Sequence, residues 1–423
     1  MKIVIITGFP ASYYNMGGPT SLPYQLFKHR PKGAEVLAFT FPSLVGRSES
    51  EIRQKYRAIG IENLSVLPSP KSLSWGRHMV RQKFTSLCSW FPFICWRRKN
   101  TSFAELYQQF PVVDSVVRQI RTFSPDVVYL YPHWLINWAW ALPDQNLVVT
   151  GPDSATLHHD RVIRFGRWTN EQLQGYVRQY RINSELEQAW SRTQAYLHFV
   201  GRTDLYHYQT LTGCVERSFF SIHPCCIEVQ PANRPSWNDK KSLFHILVSL
   251  NDPVYIGDHF QRFISSPVTM AQKIKDRFHF FLLGHSGQEY LVPMRKSGWQ
   301  VELVKWVDNY EALLSQMDIH LYPIAVGTGT KGKVLGSLCM GLLGIGSAFA
   351  YENIHVEPGV SCLQYEKPEE IISLLKGILD DPTGNDRIRR NGQIAINKYH
   401  APAKAGRIFW EQVSHFLEGE FIA

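Results

Sequence analysis

The chain opens on KIVIIT (residues 2–7), an apolar run without polar alternation, the pattern of a strand buried on both faces. A glycine-rich stretch follows, with Gly8 and then Gly17-Gly18-Pro19, and the apolar run 22–27 reads as a helix. Strand, glycine turn and helix in that order are the parts of a parallel α/β unit. Similar strand patterns return at 35–40 (EVLAFT), 126–131 (DVVYLY), 147–150 (LVVT) and 195–200 (AYLHFV), with helical patterns at 103–123 and 184–191. Residues 229–241, VQPANRPSWNDKK, have little apolar periodicity and read as a linker. Alternation then resumes, with strands expected at 244–250, 278–284, 301–306 and 318–324. In KPEEIISLLKGILDD, residues Ile371, Leu374, Leu375, Ile378 and Leu379 share one helical face. Pro368 suits the first turn of that helix, and Glu369 and Glu370 suit the positive end of its dipole. The pattern predicts two α/β halves joined near residue 235. Ligands of such sheets bind outside the carboxyl ends of the strands, so the site is expected in a cleft between the halves.

Composition narrows this picture. A chain of 423 residues suggests two or three domains. Hydrophobic residues at 44% and charged residues at 19% exclude a disordered, collagen-like or coiled-coil protein. No apolar run approaches the roughly 20 residues of a membrane-spanning helix. The start lacks the pattern of a secretory leader, and the seven cysteines are odd in number with no CxxC pair, so a reducing cytoplasm is expected. The net charge of +9 points to an anionic partner. That charge is concentrated. Residues 71–100 carry seven Lys or Arg and no Asp or Glu, together with Trp75, Phe84, Trp90, Phe91, Phe93 and Trp96. Basic residues among aromatics suit an anionic membrane surface. A solvated loop with a few core aromatics is the alternative. Nucleic acid is not expected, because no nucleic-acid-binding motif accompanies the charge.

The densest candidate chemistry lies in YPIAVGTGTKGKVLGSLCMGLLGIGSAFAYENI (322–354). A strand ends near Pro323, the loop Gly327-Thr328-Gly329-Thr330 follows, and a helix is expected from about Lys331. Glycines let backbone amides approach a ligand, a helix start adds unpaired N–H groups, and Lys331 and Lys333 add charge. Together these suit a phosphate or diphosphate. The spacing is not that of a P-loop, and the first strand is not followed by GxGxxG. An ordinary strand–helix loop with solvated lysines has the same composition. His133, in YPHWLINWAW, is either a buried structural histidine or a ligand contact. Asp153 follows a strand end in TGPDSATLHHD, on the cleft side. His158, His159 and Asp160 lie nearby, but adjacent histidines point different ways, so no metal site is expected. Trp306 follows a strand end and serves either the core or base stacking. Cys225-Cys226 reads as structural.

The order of these features resembles the retaining glycosyltransferases of family 4, with the GT-B fold. FLLGHSG resembles their second-domain strand that ends in glycine. The run VELVKWVDNYEALLSQMDIHLYPIAVGTGTKGKVLGSLCMGL resembles their strand, short helix, strand and glycine-rich loop. TGFP…NMGGP resembles their first-strand loop beside the donor diphosphate, and LYPHW the strand end whose His faces the sugar. The resemblance implies an acceptor-binding Rossmann-like domain at 1–235, a donor-binding one at 236–400, and a last helix within 401–423 that crosses back to the first domain. It implies transfer from a nucleotide-diphosphate sugar, UDP- or GDP-linked, to a lipid-linked or polysaccharide acceptor, with retention and without metal or other cofactor. Donor contacts would come from Gly17, Gly18, Gly284, Trp306, Gly327, Thr328, Gly329, Thr330, Lys331 and Lys333. The departing phosphate oxygen can take the acceptor proton under retention; inversion would need a base, for which Asp153 and His133 are the candidates. A peripheral position at the cytoplasmic face of the plasma membrane agrees with the 71–100 segment.

The chain departs from the family in two respects. Its usual pair of glutamates, eight residues apart, aligns with Thr328 and Gly336, and the loop SLNDPVYIGDHF has no basic residue before Arg262. A non-catalytic binding partner and a nucleotide-sugar epimerase of the same fold are therefore the competing expectations.

Overall fold

The computed structural model describes residues 1–13, 18–42, 48–68, 110–166, 168–228, 234–238, 241–250, 253–266 and 274–419. The basic aromatic segment 71–100 and Gly17 lie outside the described residues.

Two parallel sheets organise the chain. The first contains β1 (Lys2–Thr7), β2 (Glu35–Thr40), β3 (Leu64–Val66), β4 (Val127–Tyr131), β5 (Leu147–Gly151), β6 (Tyr196–Phe199) and β7 (Ser218–Phe220), in the order β3-β2-β1-β4-β5-β6-β7. The second contains β8 (Phe244–Ser249), β9 (Phe278–Leu283), β10 (Gln300–Val304), β11 (Ile319–Tyr322), β12 (Leu343–Gly346) and β13 (Leu363–Gln364), in the order β10-β9-β8-β11-β12-β13. The order of each sheet reverses beside its first strand, between β1 and β4 and between β8 and β11. Those are the two switch points at which crevices open at the carboxyl ends.

The apolar opening run explains its own position. Ile3, Val4, Ile5 and Ile6 are all fully buried. Val4 and Ile6 join the core on one face of the first sheet, and Ile3 and Ile5 join the core on the other. Helices cover both faces, which is the arrangement that continuous apolar strands require. The amphipathic pattern near residue 371 is a helix, Ile371–Asp380, whose Ile371, Ile372, Leu375 and Ile378 enter the core of the second sheet.

Several elements differ from the pattern reading. Within the helical run expected at 103–123, the described helix is Asp114–Phe123, which begins after Pro111. The run 184–191 is only the end of a longer helix, Asn170–Ser191, which opens with Thr169 and Gln172 in a reciprocal capping box. The strands β3, β7, β12 and β13 carry no apolar run long enough to announce them; β12 is LGIG. β11 stops at Tyr322, since Pro323 cannot donate to the ladder.

The last helix, Pro402–Leu417, lies on the helix Gly18–Lys28. Gly406 permits the approach, because a Cβ there would sit 2.6 Å from His29 Cβ. Trp410 Nε1 donates to the Leu26 carbonyl at 2.7 Å, and Phe409, Trp410 and Val413 are buried with the first sheet's residues. His400, just before this helix, is fully buried. Its Nδ1 donates to the His223 carbonyl at 2.9 Å, and its own carbonyl accepts from Cys225 N at 2.8 Å. The two passages of the chain between the sheets are thereby tied to each other. No helix among the described residues is long and apolar enough to cross a membrane.

Candidate functional site

The carboxyl end of β11 leads into the loop 323–331 and then the helix Gly332–Cys339, with Lys331 at its N-cap. This loop does not stand apart from the first sheet. Thr328 Oγ1 donates to Asp153 Oδ2 at 3.2 Å, and Thr330 Oγ1 donates to the Val200 carbonyl at 2.6 Å. The amide of Gly329 donates to both oxygens of Asp204, at 3.2 and 3.0 Å. Gly329 has φ +64°, and a Cβ there would lie 3.0 Å from Asp153 Cβ and 3.3 Å from the Pro152 carbonyl. Left-handed backbone and close approach both require glycine at this position.

Lys331 is buried and turned inward. Its ammonium donates to the carbonyls of Thr328 and Gly329 at 2.8 and 3.0 Å, so it braces the loop from within. Burial lowers its pKa, against the attraction of Glu352, Asp204 and Asp153. Lys333, in the first turn of the helix, lies close enough to His320 for its charge to depress that buried imidazole further, after burial itself.

On the facing side, the turn 152–156 after β5 carries Asp153. Two buried carboxylates hold it. Ser154 N donates to Asp204 Oδ1 at 2.9 Å; Ser154 Oγ donates to Glu187 Oε1 at 2.9 Å, and Thr156 N to the same oxygen at 3.2 Å. Burial pushes both acids up, each to about 7, and the charge of Asp153 adds to the rise. His133 follows β4 at the switch point of the first sheet and is buried. Its backbone carbonyl accepts from Trp190 Nε1 at 2.7 Å. Neither ring nitrogen has a hydrogen-bond partner among the described residues. Desolvation lowers its pKa to about 4 despite the attraction of Asp153, so the ring is neutral at physiological pH.

A second bridge runs beside the first. Arg161 donates to Glu352 through both terminal nitrogens, at 2.7 and 2.8 Å, and to the Gly327 carbonyl at 2.5 Å. The buried meeting place therefore gathers Asp153, Asp204 and Glu352 against Arg161 and Lys331, with backbone amides supplying the remaining donors.

The structure thus brings together Asp153, Thr328, Gly329, Thr330, Lys331 and Gly327, with His133 alongside. It places Gly284 and Trp306 elsewhere, on the loops after β9 and β10; Trp306 is exposed and its indole N–H reaches Asp308 Oδ1 at 3.3 Å. Gly18 is the first residue of the helix Gly18–Lys28. His158 and His159 diverge: His158 stacks on Tyr255 at 5.1 Å, and His159 Nδ1 donates to the Ala155 carbonyl at 2.7 Å. The sequence reading missed Asp204, Glu187, Arg161, Glu352 and Asn353. Asp204 had a local signal, since an acid in the first turn after a buried strand end sits where an α/β sheet presents ligand groups. The others lie mid-helix or in a turn and carry no local mark. A shallow groove of about 700 Å³, lined by Lys2, Leu37, Asn63 and Arg118 among others, lies at the amino ends of the strands, away from this chemistry.

Two facing parallel sheets, with a last helix returning to the first, are the architecture of the GT-B glycosyltransferases. The chain is similar to HepE of Anabaena, solved with UDP and glucose, with a TM-score of 0.63, 14% identity, and 98% of this chain and 99% of that chain covered. It is similar to WaaG, a glycosyltransferase involved in lipopolysaccharide biosynthesis, with a TM-score of 0.59, 14% identity, and 96% and 99% covered. It is similar also to sucrose-phosphate synthase from Thermosynechococcus elongatus, with a TM-score of 0.61, 12% identity, and 99% and 100% covered. At these identities the likeness establishes the fold. No protein-family model matches the chain, and no curated protein matches it by sequence.

Proposed function

We propose that the protein is a glycosyltransferase that moves a sugar from a UDP- or GDP-sugar to a lipid-linked or polysaccharide acceptor. The observation that carries the reading is the meeting of the second sheet's switch-point loop with the carboxyl end of the first sheet: Thr328 and Gly329 hydrogen-bond to Asp153, after β5, and Asp204, after β6. A donor laid along the carboxyl ends of the second sheet would have its reactive sugar at that junction. β10 is three strands from β11, so Trp306 lies about 14 Å along the sheet from the glycine-rich loop at the usual strand spacing. That is a span suited to a base at one end and a diphosphate at the other. Lys333 and the helix start at Gly332 are the groups best placed to take the diphosphate charge, with Gly284 and Gly18 at the margins. Lys331 shapes the loop. Residues 1–235 would bind the acceptor and 236–400 the donor, with 401–423 closing back on the first unit. The basic aromatic segment 71–100 supports an acceptor presented at an anionic membrane on the cytoplasmic face.

Under retention the acceptor hydroxyl attacks from the leaving-group face and gives its proton to the departing phosphate oxygen, so no protein base is required. Asp153 would then orient the acceptor hydroxyl, and His133 would offer it a neutral ring nitrogen. The measurement is a thermal-shift panel of UDP, GDP, CMP, ADP and their common sugars. The UDP or the GDP family is expected to stabilise the protein, by about 2–3 kcal/mol at a hundredfold excess over Kd. A flat response across the whole panel overturns the donor site. Sugar transfer is expected to survive EDTA; loss of transfer that Mg²⁺ or Mn²⁺ restores would overturn the metal-free reading.

A second reading has its own support. Where family 4 carries its second glutamate, Gly336 faces the chain crossing between the sheets: a Cβ would lie 3.3 Å from Ile227 Cδ1 and 3.4 Å from Cys226 Sγ. A side chain there would press on Ile227, and Thr328 spends its hydroxyl on Asp153. A binding protein that holds the nucleotide sugar without transferring it is consistent with both facts. Stabilisation by a nucleotide sugar with no transfer to any acceptor would select it.

A further inference from the structure

In the glycine-rich loop, Gly329 is held at its amide by one turn of helix and at its carbonyl by Asn353, which hydrogen-bonds to the same turn. That turn opens the helix Arg202–Thr212, which follows β6 in the first sheet. Its Asp204, fully buried, takes the Gly329 amide on both carboxylate oxygens and also takes the amide of Ser154 at 2.9 Å. Its Arg202 amide donates to Asn353 Oδ1 at 3.0 Å, and Asn353 Nδ2 donates to the Gly329 carbonyl at 3.3 Å. One carboxylate therefore joins the turn that carries Asp153 to the loop that faces it, and Asn353 fastens the other side of the same glycine.

We propose that this helix turn is the register pin of the cleft, and that Asp204 is a positioning residue for sugar transfer. It touches no reacting atom. It sets how far Asp153 stands from the donor loop, and so how an acceptor hydroxyl meets the sugar. The physical reason is the sensitivity of group transfer to alignment: a misplacement of about 1 Å can cost on the order of a hundredfold in rate while binding survives. Hydrogen bonds from two amides to one buried carboxylate are directional, which makes them suited to fixing such a distance. Glu187 grips the same turn but does not reach the donor loop. It supports Asp153 without setting the register.

The role in transfer rests on the glycosyltransferase reading, so the test has one arm that does not. In that arm, amide hydrogen exchange is followed across residues 327–331 in the wild-type protein, Asp204→Asn and Asn353→Ala. Asn at 204 keeps one acceptor and turns an N–H donor toward a second N–H. Exchange at Gly329 is expected to quicken about tenfold or more in Asp204→Asn, less in Asn353→Ala, and not at all in Glu187→Gln. Asn353 is only half-buried, so its variant remains informative if Asp204→Asn folds poorly. Unchanged exchange in both variants overturns the pin. In the second arm, UDP and GDP affinity and transfer kinetics are compared. A fall in kcat of about tenfold or more with nucleotide Kd within about threefold supports positioning. Equal losses in Kd and in kcat/KM overturn it, since they would place Asp204 in donor binding. If the wild-type protein binds no nucleotide, the glycosyltransferase reading and the transfer role fall together, and the exchange arm alone decides the pin.

Discussion

Acidifying the protein from about pH 7 to about pH 5 is expected to cost it several kcal/mol of stability, through histidines that fold as neutral rings. His133, His223 and His400 are lowered to about 4 and His198 to about 3, each chiefly by burial, and His320 lies well below its ordinary value. A depressed folded-state pKa adds stability that is complete above the unfolded value near 6.5 and is lost as pH falls toward the folded one. Glu187 and Asp204 act in the opposite sense. Each is raised by burial to about 7, so its contribution is complete below the unfolded carboxyl value and is lost as pH rises toward 7. Both effects fall in the same window. Five histidines oppose two carboxyls, and each tenfold change in proton affinity is worth about 1.4 kcal/mol, so the histidines prevail. His198 shows why its ring resists protonation: Thr150 Oγ1 lies 2.9 Å from one nitrogen, Ser221 Oγ lies 2.7 Å from the other, and among the described residues no carboxylate hydrogen-bonds to it to compensate a charge. Urea unfolding at the two pH values reads the difference directly. A midpoint that is equal or higher at the acid value would show that these rings are not buried as described.

The second large effect is expected from Arg161→Met. Arg161 and Glu352 are 12% and 18% exposed, and their doubly hydrogen-bonded pair joins the helix Ala155–Phe165 of the first sheet to the turn after the helix Ala348–Tyr351 of the second. The guanidinium also holds the Gly327 carbonyl and lies over the Phe349 ring at 5.1 Å from its centroid. Removing the cation leaves Glu352 largely buried without its partner, which costs about 3 kcal/mol. Replacing both residues is milder, because no charge is then stranded: Arg161→Met with Glu352→Gln is expected to recover at least half of the loss. Thermal midpoints of the two singles and the double give the coupling. Strict additivity would mean that the pair contributes nothing as a pair.

The sequence was most legible where burial is uniform. β1, β4 and β8 have continuous apolar centres because both faces of a parallel sheet are covered, and a one-dimensional pattern records that directly. The glycine-rich loop was also legible, since Gly329 adopts a backbone that glycine accepts without strain. The short strands were not. LGIG at β12 is half glycine and has little strand propensity of its own; it pairs because β11 and β13 flank it. Composition assigned Lys331 to the ligand because lysines near glycines suit phosphate. Nothing local could reveal that its ammonium would turn back onto two loop carbonyls.

The deeper divide lies between properties held along the chain and properties held across it. Alternation, glycines, prolines and charge runs are local, and they determined the α/β class, the two sets of strands and the loop most able to approach a ligand. The pairing of Asp204 with Gly329, of Arg161 with Glu352, and of Asn353 with both sides spans 125, 191 and up to 151 residues of sequence. Arg161, Glu352 and Asn353 carry no local mark, and the place of Asp204 in a first helical turn does not name its partner. Only folding two sheets face to face brings them into a common buried space, where an unmatched charge or amide would cost too much to persist and partner choice becomes specific.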